Sequence, residues 1–314
     1  MVEARQDTGR RDTGLRRDRP QLPGASGVLL NADDFAMTNG ISRAIVELAE
    51  AGRLSGASAM TNSAHWPAHA TWLARVRGEI AAGLHLNLTL GAPLSAMPSF
   101  APGHRFPGVG QVTALALRGA IPRAEVAGEI DRQLVAFENE MGFPPDHIDG
   151  HQHTHALPGI RDALFEVLAQ RYRPGRPRPL LRNPSDWPTR IFQRKRGVAK
   201  AMTLAWLSRG FAGAAQAAGF ACNDGFGGAT DFAASAVAGD FAAAYAMPGA
   251  RHMVMCHPGF VDDELIRLDP VTDRRQREFE VLMRGDFPAP VWRPQRSATG
   301  DPIDWVSAWT GTGL

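Results

Sequence analysis

Short apolar runs that end on an acid or a histidine recur along this chain, and segments of helical period separate them. That is the pattern of parallel βα units. The runs GVLLNADD (27–34), GASAMTNS (56–63), EIAAGLHLNLTL (79–90), HIDG (147–150), RPLLRNP (178–184) and HMVMCHPG (252–259) read as strands. Between them, Ile41, Ala44, Ile45, Leu48 and Ala51 share one helical face before Gly52, and a second helix follows Pro67 over Ala68–Val76. Val126, Ile130, Leu134, Phe137 and Met141 form an apolar stripe between Pro122 and Gly142, and Ile160–Gln170 and Thr272–Arg284 read as further helices. The Gly/Pro-rich stretch 91–111 has the length of a functional lid. At least six strands alternating with helices point to an α/β chain folded as a single closed or nearly closed (β/α) barrel over 27–314.

Charge is balanced in sum and uneven in place. Lys and Arg number 34 against 32 Asp and Glu, which excludes a broadly basic nucleic-acid binder. Residues 1–26 begin with six Arg and four acids and hold few apolar side chains, so a disordered basic tail is expected there. Between Arg171 and Lys200 ten basic residues face one acid, Asp186, and the apolar, small-residue stretch 198–220 follows. This basic and apolar insertion around 171–220 reads either as a solvated loop leading into a packed helix or as a surface for an anionic head group. No apolar run has the length of a signal peptide or a membrane span. Two cysteines, Cys222 and Cys256, are too few for a disulfide framework, so a cytoplasmic setting is expected, with peripheral contact at the inner membrane face under the second reading of the insertion.

Chemistry in parallel βα folds gathers at the carboxyl ends of strands. Here four ends carry Asp33-Asp34, His85, Asp149 with His151, and His257. Each has a plain structural alternative: a capped turn for the acids, a core histidine for His85, a solvated loop for the histidine tract. Their convergence is the argument. Adjacent acids on extended chain point to opposite sides, which suits one for a metal and the other for a water. In HIDGHQHTH, residues 147, 149, 151, 153 and 155 alternate at a spacing of two, yet an extended run of that length spans roughly 26 Å, far beyond the reach of one ion. Gly150 is placed to break the strand, leaving His151 at its mouth and His153 and His155 in the loop as supporting or substrate-facing groups. Cys256 alternates away from His257 and reads as a packed thiol. GxSxG, GxxxxGK[ST] and GxGxxG are all missing, so metal-assisted hydrolysis leads.

Together these residues resemble the YdjC-like carbohydrate deacetylases, the family that includes chitooligosaccharide deacetylase and the hopanoid-associated deacetylases. The matching pieces are NADDFA (31–36), GLHLNLTLGAPLS (83–95), HIDGHQHTHALPG (147–159) and MCHPGF (255–260). The resemblance implies a distorted (β/α) barrel with one divalent metal ion, magnesium or zinc, acting on an N-acetylated amino sugar. It implies Asp34, His85 and His151 as metal ligands, Asp33 as catalytic base and His257 as general acid. Arg182 then corresponds to an arginine that orients the base, with Asp149, His153 and His155 around the site. Ala36 departs from the pattern, where the family usually carries glycine after Asp-Asp-Phe.

Expected partners are therefore an acetylated amino sugar, free or linked to a lipid or polyprenyl phosphate, and no nucleic acid; a homodimer is compatible with the sequence. Two other readings fit the same residues. One is a metal-dependent hydrolase of a formamide or phosphodiester, the other a non-catalytic glycan- or lipid-binding protein with a structural metal.

Overall fold

The computed structural model describes residues 28–172, 177–285, 291–293, 302–305 and 308. The expected tail, 1–26, and Arg173 and Arg176 of the basic window lie outside them. In chain order the elements are β1 (Leu29–Phe35), α1 (Asn39–Glu50), β2 (Gly56–Ala59), α2 (Trp66–Val76), β3 (Ala81–Leu86), α3 (Val109–Leu117), α4 (Arg123–Met141), β4 (His147–Gly150), α5 (Ile160–Arg171) and β5 (Leu180–Leu181). There follow α6 (Pro188–Arg194), α7 (Val198–Leu207), α8 (Phe211–Ala217), β6 (Gly225–Gly227), α9 (Val237–Tyr245), β7 (His252–Cys256), α10 (Asp263–Leu268) and α11 (Asp273–Arg284).

All strand pairs are parallel, in the order β5-β4-β3-β2-β1-β7-β6. Followed around the sheet, the strands run in sequence order, and the gap between β5 and β6 is spanned by a bridge from Leu181 to Cys222. The result is a distorted (β/α) barrel, as expected. β6 is the strand that the sequence hides, because Gly225-Phe226-Gly227 offers no apolar run.

Strand alternation builds the interior in layers. Leu29, Ala81, Leu180 and Met253 pack with Trp305 in one buried cluster. Two residues further along the same strand faces stand Asn31, Gly83, Arg182 and Met255, and then Asp33, His85 and, past the end of β7, His257. His147 shares the inward face of β4 with Asp149, and its ring fills the space at Gly83: a Cβ there would sit 2.3 Å from His147 Nε2.

Several strands are shorter than the apolar runs suggest. β3 ends at Leu86 because the Asn87 side-chain carbonyl accepts the amides of Thr89 (3.1 Å) and Leu90 (3.0 Å), turning the chain. β5 keeps two residues between Pro179 and Pro184, which donate no amide to a ladder. The stretch 91–111 is tethered rather than free to swing as a lid. Glu129 accepts the Leu94 amide at 3.0 Å, Glu125 accepts the Phe100 amide at 2.9 Å, and Met97, Phe100 and Phe106 are buried. Its last residues open α3.

Most of the described cations of the basic window are paired with acids, from the fully buried Arg182 to the half-exposed Arg196. Arg171 pairs with Asp131 and Glu138, Arg182 with Asp33 and Asp149, Arg190 and Arg194 with Asp186, and Arg196 with Asp240. The window is thus folded against acids from other elements as well as its own Asp186; α7, which begins at its end, has no buried residue, and α8 buries Phe211 and Ala215. No described helix is long and apolar enough to cross a membrane.

Candidate active site and metal centre

Asp33 and Asp34 close β1, but the chain between them is not extended. Asp34 has φ +68° and Ala36 +69°, and the β1–β2 register shifts between Ala32 and Phe35. This bulge brings a carboxylate oxygen of each within 4.8 Å of His85 instead of sending the two to opposite sides of the sheet. The same left-handed backbone at Ala36 accounts for a preference for glycine there.

Asp34 Oδ1 lies 3.2 Å from His85 Nε2 and 3.0 Å from His151 Nδ1. These three donor atoms come within 4.8 Å of one another. Behind them, Asp149 Oδ1 stands 2.7 Å from His85 Nδ1, and its Oδ2 accepts from Ser58 Oγ at 2.9 Å. A carboxylate on the far nitrogen is the usual way of orienting a metal-binding imidazole. With both ring nitrogens of His85 turned to carboxylates, a positive species belongs between Nε2 and Asp34. Burial disfavours a second proton on this ring, but Asp149, Asp34 and Asp33 prevail and raise His85 to about 10. A divalent ion answers the same need, and two imidazoles with one carboxylate are a fitting donor set for it.

A second group, Asp33, His85 and Asp149, is also close enough for a metal. Arg182 already supplies its positive charge. The fully buried guanidinium donates to Asp33 from Nη1 and Nη2 at 2.6 Å each, and Nη2 lies 2.5 Å from Asp149. Burial works against ionising Asp33, and Arg182 overrides it, so its carboxyl is held well below the usual range. Asn31, two residues back on the same strand face, donates to Asp33 Oδ1 at 2.9 Å.

His257 closes the other side, with Nε2 3.9 Å from Asp33 Oδ2 and a side chain 16% exposed. Burial lowers its pKa against the pull of Asp33 and Asp34, which favours a neutral ring at rest. Neighbouring Cys256 is buried with its thiol pushed well up by burial, an inert packed group as expected.

The histidine tract divides by position. His151 follows Gly150 into the site, while Gln152 and His153 adopt φ +53° and +60° in a 3-10 turn. His153 meets the Phe226 ring at 5.5 Å. His155 is not substrate-facing: its Nε2 donates to the Arg182 carbonyl oxygen at 2.8 Å and its ring packs on Phe211. It holds the backbone of Arg182 from the core.

Three contributors carry no sequence signal: Arg275, Arg274 and Glu278, buried on α11. Arg275 Nη2 donates to Asp34 Oδ2 at 2.7 Å, and Glu278 Oε2 accepts the backbone amide of His257 at 2.6 Å. Asn31 and Ser58 did have one, since alternation puts Asn31 on the face of Asp33 and Ser58 in the middle of a buried strand.

A family model described as YdjC-like protein matches residues 27–291. A chitooligosaccharide deacetylase of Klebsiella pneumoniae (strain 342) is 29% identical over 245 residues, 76% of this chain and 84% of that one. A carbohydrate deacetylase of Geobacillus stearothermophilus is 37% identical over 148 residues, 46% of this chain and 56% of its own. A chitooligosaccharide deacetylase of Enterobacter sp. (strain 638) is 36% identical over 144 residues, 46% of this chain and 54% of its own, so the chain spans about half the length of these last two relatives. An Enterococcus faecalis V583 protein described as a cellobiose-phosphate cleavage protein has the same fold, with a TM-score of 0.60 at 21% identity over 82% of this chain and 90% of that one.

Proposed function

For a chain that belongs to the YdjC-like family, we propose metal-assisted N-deacetylation of an amino sugar, releasing acetate and the free amine. The observation that carries it is the placing of Asp34, His85 and His151 beside an arginine-held carboxylate, Asp33, with His257 across from it. The deacetylase names of the relatives support the same reading.

Asp34, His85 and His151 would hold one divalent ion, magnesium or zinc. When bound, such an ion polarises the acetyl carbonyl and makes a water proton easier to remove. Asp33, fixed by Arg182 and Asn31, accepts that proton as the water oxygen adds to the carbonyl carbon. Because Arg182 keeps Asp33 weakly basic, the carboxyl does not retain the proton, and His257 Nε2, 3.9 Å from Asp33 Oδ2, receives it on closing to hydrogen-bond distance. The C–N bond then breaks with the proton passing from His257 Nε2 to the departing nitrogen. Asp149 and Ser58 hold the His85 ring in one orientation throughout.

The test is acetate release by purified protein, with and without added magnesium or zinc, from N-acetylglucosamine, its oligomers and lipid-linked forms. Metal-dependent acetate from one class is expected and identifies it. Asp33→Asn is expected to abolish turnover while metal affinity stays near normal. Metal-replete protein that releases no acetate from any acetylated sugar overturns the reading.

A further inference from the structure

Phe232 lies outside every motif described above, and its backbone is strained, with φ at +60°. A bulky residue enters that region only where its surroundings impose it, and such positions cluster at functional sites. Here the surroundings are two cations from separate helices. Lys200 of α7 brings Nζ to 3.8 Å from the ring centroid and donates to the Thr230 carbonyl oxygen at 3.2 Å. Arg274 of α11 holds Cζ 5.5 Å from the same centroid and donates from Nη1 to the Ala233 carbonyl oxygen at 3.1 Å. The segment carrying Phe232 is gripped on both sides, and its ring is attracted to both cations.

The ring meets His257 with centroids 5.5 Å apart and planes at 77°. Arg274 also donates from Nε to Glu278 at 2.7 Å, and Glu278 in turn accepts the His257 backbone amide. The main chain of His257 is therefore anchored through Glu278. Its imidazole is not anchored in that way: the approach to Asp33, 3.9 Å, is too long for a hydrogen bond. Rotation about χ1 and χ2 has to be restrained by packing, and Phe232 supplies an edge-to-face contact.

We infer that Phe232 is the positioning residue for His257, holding the imidazole between Asp33 and the leaving nitrogen, and that Lys200 ties this geometry to the basic insertion. The inference rests on the proton-donor role given to His257 above. It gives the insertion a part in the reaction that no active-site motif requires.

The experiment compares an acetamide substrate with 4-nitrophenyl acetate, whose phenolate leaves without a proton. His257→Ala is the control for the underlying reading: equal losses on both substrates remove the proton-donor role, and this inference with it. Given a selective loss in that control, Phe232→Leu is expected to lower kcat on the acetamide about tenfold, with KM and the ester rate within about twofold. Phe232→Tyr, which keeps the ring, should restore the wild-type ratio, and a crystal structure of Phe232→Leu should show His257 in more than one side-chain orientation. Equal losses on both substrates, or no loss on either, would falsify the positioning role. If Phe232→Leu does not fold, Lys200→Met decides. It should show a smaller selective loss on the acetamide, and an unchanged substrate ratio overturns the inference.

Discussion

Arg275 Nη2 donates to Asp34 Oδ2 across 2.7 Å, joining residues 241 positions apart and linking the first strand to the last described helix. The same nitrogen lies 2.5 Å from Asp269 Oδ2, and the guanidinium is almost wholly buried. One Asp34 oxygen faces the two histidines while the other is held from behind. The carboxylate is thus fixed before any ligand arrives.

Arg275→Lys should weaken metal binding by roughly 10–100-fold, because the guanidinium anchors itself through Nε on the Val271 carbonyl oxygen while Nη2 meets Asp34 and Asp269, and an ammonium cannot fill both positions. Metal titration followed calorimetrically checks this. Affinity within about twofold of wild type would show that Asp34 orients itself without Arg275.

Arg182→Leu should destabilise the fold by about 3–5 kcal/mol, since it strands two buried carboxylates, Asp33 and Asp149, beside each other. Adding Asp33→Asn should recover part of that loss, as the second change removes one of the stranded charges. Urea unfolding of the single and double variants measures both effects, and strictly additive losses would mean that the pair is not coupled.

Ala36→Gly should raise stability, by up to about 1 kcal/mol, although glycine is ordinarily a destabilising replacement. The residue has φ +69°, where a Cβ carries a steric cost. Its methyl is buried, so the gain is partly offset by lost packing. A fall in stability of more than about 1 kcal/mol would contradict a strained backbone at this position.

Acid should weaken the fold through two histidines outside the catalytic cluster. Burial pushes His155 and His252 down to about 4 from 6.5, so both stay neutral in the folded chain while the unfolded chain takes up protons. The unfolded state therefore binds more protons between those values, and stability falls as pH drops from about 6.5 toward 4. His252→Gln should flatten that slope in urea unfolding between pH 7 and 5. A variant with an unchanged slope would place the proton uptake elsewhere.

Much of the fold could be read from local pattern, because strand alternation and helical period are properties of neighbouring residues. Each of the six apolar runs contains a strand, and Asp33, Asp34, His85, His151 and His257 gather in one cluster. β6 was not legible, because a Gly-Phe-Gly strand pairs through its backbone and leaves no side-chain pattern. Arg275 and Glu278 were not legible either. They read as ordinary charges on an amphipathic helix until the packing of α11 carries them to Asp34 and His257.

By itself, then, the sequence determined the order of βα units and which residues end each strand, since both depend on spacing along the chain. Tertiary structure alone decided how charge is distributed. Ten basic residues between Arg171 and Lys200 look like an exposed cationic surface when counted in line. In space Arg171, Arg182, Arg190, Arg194 and Arg196 meet acids, and all of these but Asp186 (Asp33, Asp131, Glu138, Asp149 and Asp240) come from outside the window. Electrostatic partners are chosen by distance after folding, and a linear count of charge holds no information about that distance.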